Sequence, residues 1–260
     1  MLRRALLQFI LAGFCIVRCL PQQGSPTALT NPSQIILPSD YSIDRRYPVL
    51  IFLPFTGGSA TDLMNMYCSA LGDYSITNLP IERRFESLLK SMFGGSASEK
   101  SFVLVLPPGK GSTADQSWKG FLACIERYEQ RIKEDLQTLL RNSSIDTNRI
   151  VLAGYSLGGD LSWALSIRNP SLFQGAIVMG SRCGYFEKNR LPMLTKKGFK
   201  YFLAMGAHET EHRLRGIKHS MTLLDRAKTD YRYVVIQDNE HAPAPLSILA
   251  EAASWILFDN

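Results

Sequence analysis

Several features are missing from the sequence, and each absence argues against a class of protein or site. Its 260 residues include five cysteines but no Cys-x-x-Cys pair, which argues against a redox motif or a structural zinc site. The net charge of +6 is mild, and no dense stripe of Lys and Arg with interleaved aromatic residues accompanies it, so we expect no nucleic-acid partner. Only one apolar run approaches membrane length, at the N-terminus, which excludes a multispan membrane protein.

The remaining composition is that of a folded globular chain. Hydrophobic residues make up 45% and charged residues 20%, which excludes a disordered, collagen-like or coiled-coil protein. A chain of this length can bury most of its apolar surface without covalent cross-links.

The N-terminus has the pattern of an export signal. A basic start with Arg3 and Arg4 precedes an apolar stretch over residues 5–17, and a polar segment rich in Pro, Gln, Ser, Thr and Asn follows. This pattern predicts a signal peptide over residues 1–20 and a flexible segment over residues 21–33. We therefore expect a secreted or periplasmic protein, with an uncleaved anchor or a lipid on Cys19 as one alternative and a cytosolic protein as another. Three cysteines remain after the signal, which allows one disulfide and one free thiol, or three buried thiols.

From residue 35 onward the chain alternates between two kinds of segment. After a short apolar run at residues 35–37, the pattern predicts strands at residues 49–53, 101–106, 149–153, 175–179, 200–205 and 231–236, and helices at residues 82–93, 121–141, 157–167, 217–228 and 246–258. Strands alternating with helices indicate a largely parallel sheet covered on both faces. We expect one domain over residues 34–260, with the polar segment 182–198 covering one end of the sheet.

One motif points to chemistry, the Gly-x-Ser-x-Gly sequence formed by Gly154, Ser156 and Gly158. A predicted strand runs directly into it and a predicted helix begins directly after it. A serine on such a tight strand-to-helix turn is exposed above the sheet as a nucleophile. The helix N-terminus offers free backbone N–H groups to the oxyanion that forms when a hydroxyl attacks an ester carbonyl. The alternative is a glycine-rich helix cap without a catalytic role.

A serine nucleophile needs a base and a group that orients the base. His241 lies 85 residues after Ser156, in the loop between the last predicted strand and helix. Loops that follow parallel strands emerge at the same edge of the sheet, so this histidine can reach the serine. Glu209, in the loop after the preceding strand, is the first candidate for the acid, and Glu211 is the second. The order serine, acid, histidine is that of hydrolases with a nucleophile elbow.

On these residues the chain resembles the α/β-hydrolase superfamily, in particular its esterase branch of esterase-D-like, feruloyl-esterase-like and polyhydroxyalkanoate-depolymerase-like enzymes. The matching segments are residues 37–41, 47–54, 56–58, 148–159 and 169–173. The resemblance implies an α/β-hydrolase fold and a serine esterase that acts on small-molecule or polymeric esters without a metal or other cofactor.

The resemblance also implies the groups that bind the oxyanion. They are the amide of Leu157 and an amide of the loop after the first long strand, which maps to Thr56, with Gly57 as the alternative. Two positions differ from the family pattern. Pro54-Phe55 stands where the family has His-Gly, and Glu209 stands where it usually has Asp.

Three other functions remain open at this stage. A serine peptidase would use the same residues on the same fold. His208-Glu209-Thr210-Glu211-His212 formally matches the His-Glu-x-x-His motif of zinc proteases, although it follows a predicted strand and not a long helix. A binding protein could have kept the fold without turnover. Basic residues in the segment 182–198 (Arg182, Lys188, Arg190, Lys196 and Lys197) either favour anionic substrates or form a solvated loop.

Overall fold

The computed structural model describes residues 29, 31–113, 117–196 and 198–259. The predicted signal peptide and most of the segment 21–33 lie outside the described residues. In chain order the elements are β1 (Gln34–Ile36), β2 (Tyr47–Leu53), α1 (Ala60–Ser69), α2 (Ile81–Phe93), β3 (Val103–Leu106), α3 (Trp118–Asn142), β4 (Ile145–Tyr155), α4 (Leu157–Arg168), β5 (Gly175–Met179), α5 (Leu191–Lys196), β6 (Lys200–Gly206), α6 (Glu211–Ala227), β7 (Asp230–Ile236) and α7 (Leu246–Leu257). Short 3-10 helices cover Tyr74–Asn78 and Gly94–Ser96.

The strands form one sheet in the order β1-β3-β2-β4-β5-β6-β7. Every neighbouring pair is parallel except β1 and β3, which are antiparallel. This confirms the predicted α/β-hydrolase fold with a mostly parallel sheet. Strand β2 is buried along all seven residues, as expected of a central strand covered on both faces.

Two hydrophobic layers lie on the two faces of the sheet. Alternate residues of a strand point to opposite faces, so Val49 and Ile51 pack in one layer whereas Leu50 and Phe52 pack in the other. Helices α3, α4 and α6 supply the first layer. Helices α1, α2 and α7 supply the second.

Several boundaries differ from the sequence predictions. Helix α1 was not predicted, although Ser59 and Asp62 form a capping box at its start, which is a recognisable N-terminal signal. Strand β4 starts at Ile145 and not at residue 149, and α6 starts at Glu211 and not at residue 217. Within the segment 182–198, predicted as a polar cover, α5 buries Leu191 and Leu194 in the core.

The three described cysteines are Cys68, Cys124 and Cys183, and all are buried free thiols, which corresponds to the second of the two predicted alternatives. Burial raises the pKa of the Cys183 thiol to about 12. Near the start of the described chain, the Ser33 hydroxyl donates a hydrogen bond to Asp135 on α3. Within the described residues, none of the helices has the length and apolar character needed to cross a bilayer.

The turn from β4 into α4 is tight and conformationally strained. Ser156 has φ 57° and ψ −118°, a region that L-residues rarely adopt and that costs about 1–3 kcal/mol. Its N–H donates to the carbonyl of Met179 at 2.9 Å, and its carbonyl accepts from the N–H of Asp160 at 3.0 Å. A Cβ on Gly154 would lie 2.3 Å from the carbonyl of Gly158. The main chains of the strand and of the first helical turn therefore approach so closely that only glycine fits at residue 154.

Replacing Gly154 with Ala is expected to destabilise the protein by more than about 3 kcal/mol, because the added methyl group would overlap main-chain atoms that cannot move independently. The free energy of unfolding in urea measures this. Gly184→Ala is the matched control, since a Cβ there meets no atom within 4 Å, and we expect a change below about 0.5 kcal/mol. Equal stability of the two variants would contradict the described packing.

Candidate active site

The side chain of Ser156 lies where β4 ends, at the carboxyl edge of the parallel strands. The residue is 6% exposed, and its Oγ lies 2.9 Å from Nε2 of His241. The structure therefore brings together two residues that are 85 positions apart in the sequence. Both were predicted site residues.

His241 is held in place from two sides. Its Nδ1 lies 2.5 Å from Oε1 of Glu209, and the hydroxyl of Tyr155 donates a 2.7 Å hydrogen bond to the main-chain carbonyl of His241. Because an ionised carboxylate can only accept, Nδ1 carries the hydrogen, and in the neutral ring Nε2 is then free to accept from the Ser156 hydroxyl. This tautomer is the one that a general base needs.

Glu209, rather than Glu211, is the acid that reaches the histidine. The side chain of Glu209 is 1% exposed, in the loop between β6 and α6. Glu211 lies in the first turn of α6, where its exposed carboxylate pairs with Arg215 at 3.2 Å. The two acids are only two residues apart. Glu209 precedes the start of α6 and Glu211 is its first residue, so the two side chains have different surroundings.

A cation, Arg213, lies beside the buried carboxylate of Glu209. Oε2 of Glu209 is buried without a hydrogen-bond partner, and the closest guanidinium atom is Nε of Arg213 at 3.5 Å. Nη1 of Arg213 also donates a 2.7 Å hydrogen bond to the carbonyl of Gly180. Arg213 was not a predicted site residue, although its spacing of four residues from Glu209 is one that allows an ion pair at a helix start.

Gly180, directly after β5, leaves room for the acid and for two side chains beside it. It has φ 55°, and a Cβ there would lie 3.2 Å from Oε1 of Glu209, 3.2 Å from the ring of Tyr155 and 3.4 Å from the ring of His241. Burial, together with the charge of Glu209, raises the pKa of Tyr155 to about 12, so its hydroxyl stays a donor. Neither Gly180 nor Tyr155 was a predicted site residue.

The two residues predicted as oxyanion donors, Leu157 and Thr56, line the same cavity as the serine. Leu157 is the first residue of α4, so its N–H has no acceptor within the helix. The N–H of Gly57, the alternative donor, is instead committed to the carbonyl of Gly111 at 3.0 Å, which favours Thr56.

The loop after β2 has room for the ring of Phe55, which stands where the family has glycine. A Cβ on Gly58 would lie 2.1 Å from the ring of Phe55, so the absent side chain of Gly58 makes room for this ring. The ring also contacts that of Tyr155, with centroids 5.8 Å apart. The loop thus accommodates Phe55 by packing it against the residue that precedes the serine.

The His-Glu-x-x-His motif does not lie on one helix. His208 is in the turn after β6, whereas His212 is in the first turn of α6, and both are exposed. The zinc motif needs both histidines one helical turn apart on one face, with the glutamate free to act as a base. Here Glu209 is bonded to His241 instead.

A cavity of about 810 Å³ opens beside Ser156. Its described lining contains aromatic side chains from α3 and from the segment after β5, and basic side chains from that segment and α6. These residues are Trp118, Phe121 and Phe186, and Arg182, Arg213, Arg215, His212 and His219. Of the basic residues in the segment 182–198, Arg182 lines the cavity, while the side chains of Lys196 and Lys197 lie outside the described residues.

The fold and the turn at Ser156 define an α/β hydrolase, and the comparison with family models names the family. The model described as "Putative esterase" matches residues 30–184, which is more than half of the chain. The chain belongs to this esterase family and is a carboxylic ester hydrolase. A search of curated proteins gives no match.

Solved structures of esterases share the fold at low sequence identity. A ferulic acid esterase, AmCE1/Fae1A from Anaeromyces mucronatus, solved with ferulic acid, has a TM-score of 0.61 at 16% identity over 87% of this chain and 84% of that one. FphF, a fluorophosphonate-binding serine hydrolase of Staphylococcus aureus, has a TM-score of 0.58 at 15% identity over 87% and 92%. The S-formylglutathione hydrolase FrmB of Staphylococcus aureus has a TM-score of 0.56 at 15% identity over 86% and 92%.

Replacing Arg213 with Met is expected to lower kcat for a small neutral ester about tenfold and to reduce stability by about 1–3 kcal/mol, because the buried Glu209 carboxylate would lose its nearest cation. Steady-state kinetics and urea unfolding measure the two effects. Arg213→Lys should restore part of both. Arg226→Met, an exposed position near the other end of α6, is the control. Equal behaviour of Arg213→Met and Arg226→Met would show that Arg213 does not support the acid.

Proposed function

We propose that the protein hydrolyses carboxylic esters through an acyl-enzyme intermediate formed on Ser156. The observation that carries this proposal is the continuous chain of contacts from Ser156 Oγ to His241 Nε2, at 2.9 Å, and from His241 Nδ1 to Glu209 Oε1, at 2.5 Å. Serine, base and orienting acid in this geometry form the arrangement that activates a hydroxyl as a nucleophile.

The first half of the reaction forms the acyl-enzyme. Oγ of Ser156 attacks the ester carbonyl carbon while His241 Nε2 takes the hydroxyl proton. Glu209 stabilises the imidazolium through Nδ1–H. The carbonyl oxygen becomes an oxyanion, which accepts hydrogen bonds from the N–H groups of Leu157 and Thr56. When the intermediate collapses, the C–O bond to the alcohol breaks and His241 gives its proton to the departing oxygen.

The second half repeats these roles with water. His241 takes a proton from a water molecule, which attacks the acyl carbon. The collapse of the second tetrahedral intermediate breaks the bond to Ser156 and returns the proton to Oγ. The acid product leaves, and the site returns to its starting state without any cofactor in the cycle.

The geometry favours this function over the alternatives. A binding protein would not need the bonded chain of serine, histidine and glutamate, and a zinc site would need Glu209 released from His241. A peptidase would use the same three residues and differ only in its leaving group. Family membership favours esters over amides.

The first test is the loss of activity in Ser156→Ala. We expect a fall in kcat of at least about 10⁴-fold on a short p-nitrophenyl ester, together with loss of labelling by a fluorophosphonate probe. Glu209→Gln should lower kcat about 10³- to 10⁴-fold. Glu211→Gln, two residues away and exposed, is its matched control and should change kcat less than about twofold.

Other outcomes would contradict this assignment. Full activity of Ser156→Ala would exclude the serine as nucleophile. Activity that disappears with a chelator and returns with zinc would favour the metal motif. Equal losses in the Glu209 and Glu211 variants would remove the distinction between the two acids, and faster cleavage of matched amides than of esters would favour a peptidase.

We also propose that the chain is exported. The basic start and the apolar residues 5–17 support this, and burial protects the three described thiols from oxidation in an oxidising compartment. Fractionation of cells that make the C-terminally tagged chain should place a form shortened by about 20 residues outside the cytosol. Intact chain in the cytosol would contradict export, and intact or lipid-modified chain in the membrane would show an anchor instead.

A further inference from the structure

The cavity beside Ser156 is lined by two chemically different sets of side chains. One set is aromatic and consists of Trp118, Phe121 and Phe186, of which Trp118 and Phe186 are about half exposed. The other set, which we call the basic wall, carries guanidinium groups, with Arg182 and Arg215 as its exposed members. A substrate that fills this space can contact both apolar surface and positive charge.

Arg182 is held rigidly at this wall by a buried acid. Asp160 Oδ2 accepts hydrogen bonds from Nε and Nη2 of Arg182 at 3.0 and 2.8 Å. Its Oδ1 accepts from the Ser181 hydroxyl at 2.7 Å and from the Arg182 N–H at 2.8 Å. Asp160 is 2% exposed, whereas the Arg182 side chain is 43% exposed. A buried carboxylate with four bonds therefore fixes a half-exposed guanidinium in place before any ligand binds.

Helix α6 brings a second cation to the same wall. A Cβ on Gly216 would lie 2.0 Å from the carbonyl oxygen of Arg182, so the helix main chain touches the Arg182 segment directly. Arg215 is next to this contact, and its only pairing shown by the structure is with Glu211. Because both partners of that pair are mostly exposed, it contributes little, and a ligand anion can replace it.

The three arginines that line the cavity differ in the acids that they face: Arg182 and Arg213 face the buried Asp160 and Glu209, whereas Arg215 faces the exposed Glu211. Among the described lining residues, Asp160 is the acidic side chain, with its oxygens already bonded. Arg213 is committed to Glu209 and Gly180. Arg182 bonds Asp160 through Nε and Nη2, so the group that it can offer to a ligand is its half-exposed outer edge with Nη1, next to the mostly exposed guanidinium of Arg215. The N-terminus of α6, whose backbone N–H groups carry partial positive charge, adds to the field on the same side.

We propose that the preferred substrates are esters that carry an anionic group, a carboxylate or a phosphate, beside an aromatic or apolar part. Arg182 and Arg215 bind the anion, and Trp118 and Phe186 contact the apolar part. This proposal rests on the serine esterase function and specifies its substrate class. Guanidinium groups suit both anions because they donate in a planar, two-pronged geometry.

The test compares ester pairs that differ in one charged group. One pair places the charge on the acyl side, mono-p-nitrophenyl glutarate against p-nitrophenyl pentanoate. A second places it on the alcohol side, 4-acetoxyphenylacetate against the neutral 4-acetoxyphenylacetamide, and a third replaces that carboxylate with a phosphonate and uses the same neutral amide. In at least one pair we expect kcat/KM to be about tenfold higher for the anionic ester at low salt, and this preference to shrink at 0.5 M salt, where charges are screened within about 5 Å.

Variants in α6 test whether the basic wall causes the preference for anionic esters. Arg215→Gln should reduce the ratio of anionic to neutral kcat/KM about two- to fivefold. Glu211→Gln, which removes the competing carboxylate, should increase the same ratio. Arg226→Gln removes the same charge near the other end of the helix and should leave the ratio unchanged.

The outcomes separate the two proposals. A preference in one of the three pairs supports the inference and shows where the anion lies and which anion the wall accepts. Neutral esters cleaved as fast as anionic ones in every pair, or a ratio that is insensitive to Arg215 and Glu211, would overturn it while leaving the serine esterase intact. Failure of the esterase itself would instead appear as no Ser156-dependent turnover of either member of any pair.

Discussion

The strained backbone at Ser156 is the constraint on which the site depends. A residue with φ 57° and ψ −118° is not favoured locally, and it persists because the surroundings leave no alternative. Because Gly154 has no side chain, the end of β4 packs directly against the first turn of α4. The N–H of Ser156 is bonded to the neighbouring strand β5 at Met179. The result is a hydroxyl at the edge of the sheet and a helix N-terminus directly behind it.

The parallel register of the sheet brings the other two groups to the same place. Tyr155 pairs with Met179, Met179 with Ala204, and Gly206 with Ile236, so strands β4 to β7 end at comparable heights. Each loop that follows therefore starts at the same edge of the sheet as the turn at Ser156. Glu209 leaves the sheet after β6 and His241 after β7; His241 reaches the serine, and Glu209 reaches His241. The family match provides the reaction class, and this geometry provides a way to perform it.

Much of this arrangement was predictable because it follows from strong, local patterns. Strands buried on both faces are continuous apolar runs, and the order of serine, acid and histidine along the chain follows the order of the strands. The choices between neighbouring residues had weaker support: the sequence ranked Glu209 before Glu211 and Thr56 before Gly57, but it could not show the contacts that distinguish them. Glu209 and Glu211 differ only in which side of the helix start they occupy, and Thr56 and Gly57 differ by one hydrogen bond to Gly111. Gly180 acts through three-dimensional contacts around Glu209, for which no motif exists, and Arg213 was indicated in the sequence only by its spacing of four residues from Glu209.

The central claim is that Ser156 is the nucleophile and that the amides of Leu157 and Thr56 bind the oxyanion formed by its attack. The most direct measurement is a crystal structure of the protein after reaction with a phosphonate inhibitor, whose tetrahedral phosphorus resembles the intermediate of ester hydrolysis. The account predicts a covalent bond from Ser156 Oγ to phosphorus, and one phosphonyl oxygen within about 3 Å of the N–H groups of both Leu157 and Thr56. An adduct on another residue, or an oxygen that contacts neither amide, would contradict it.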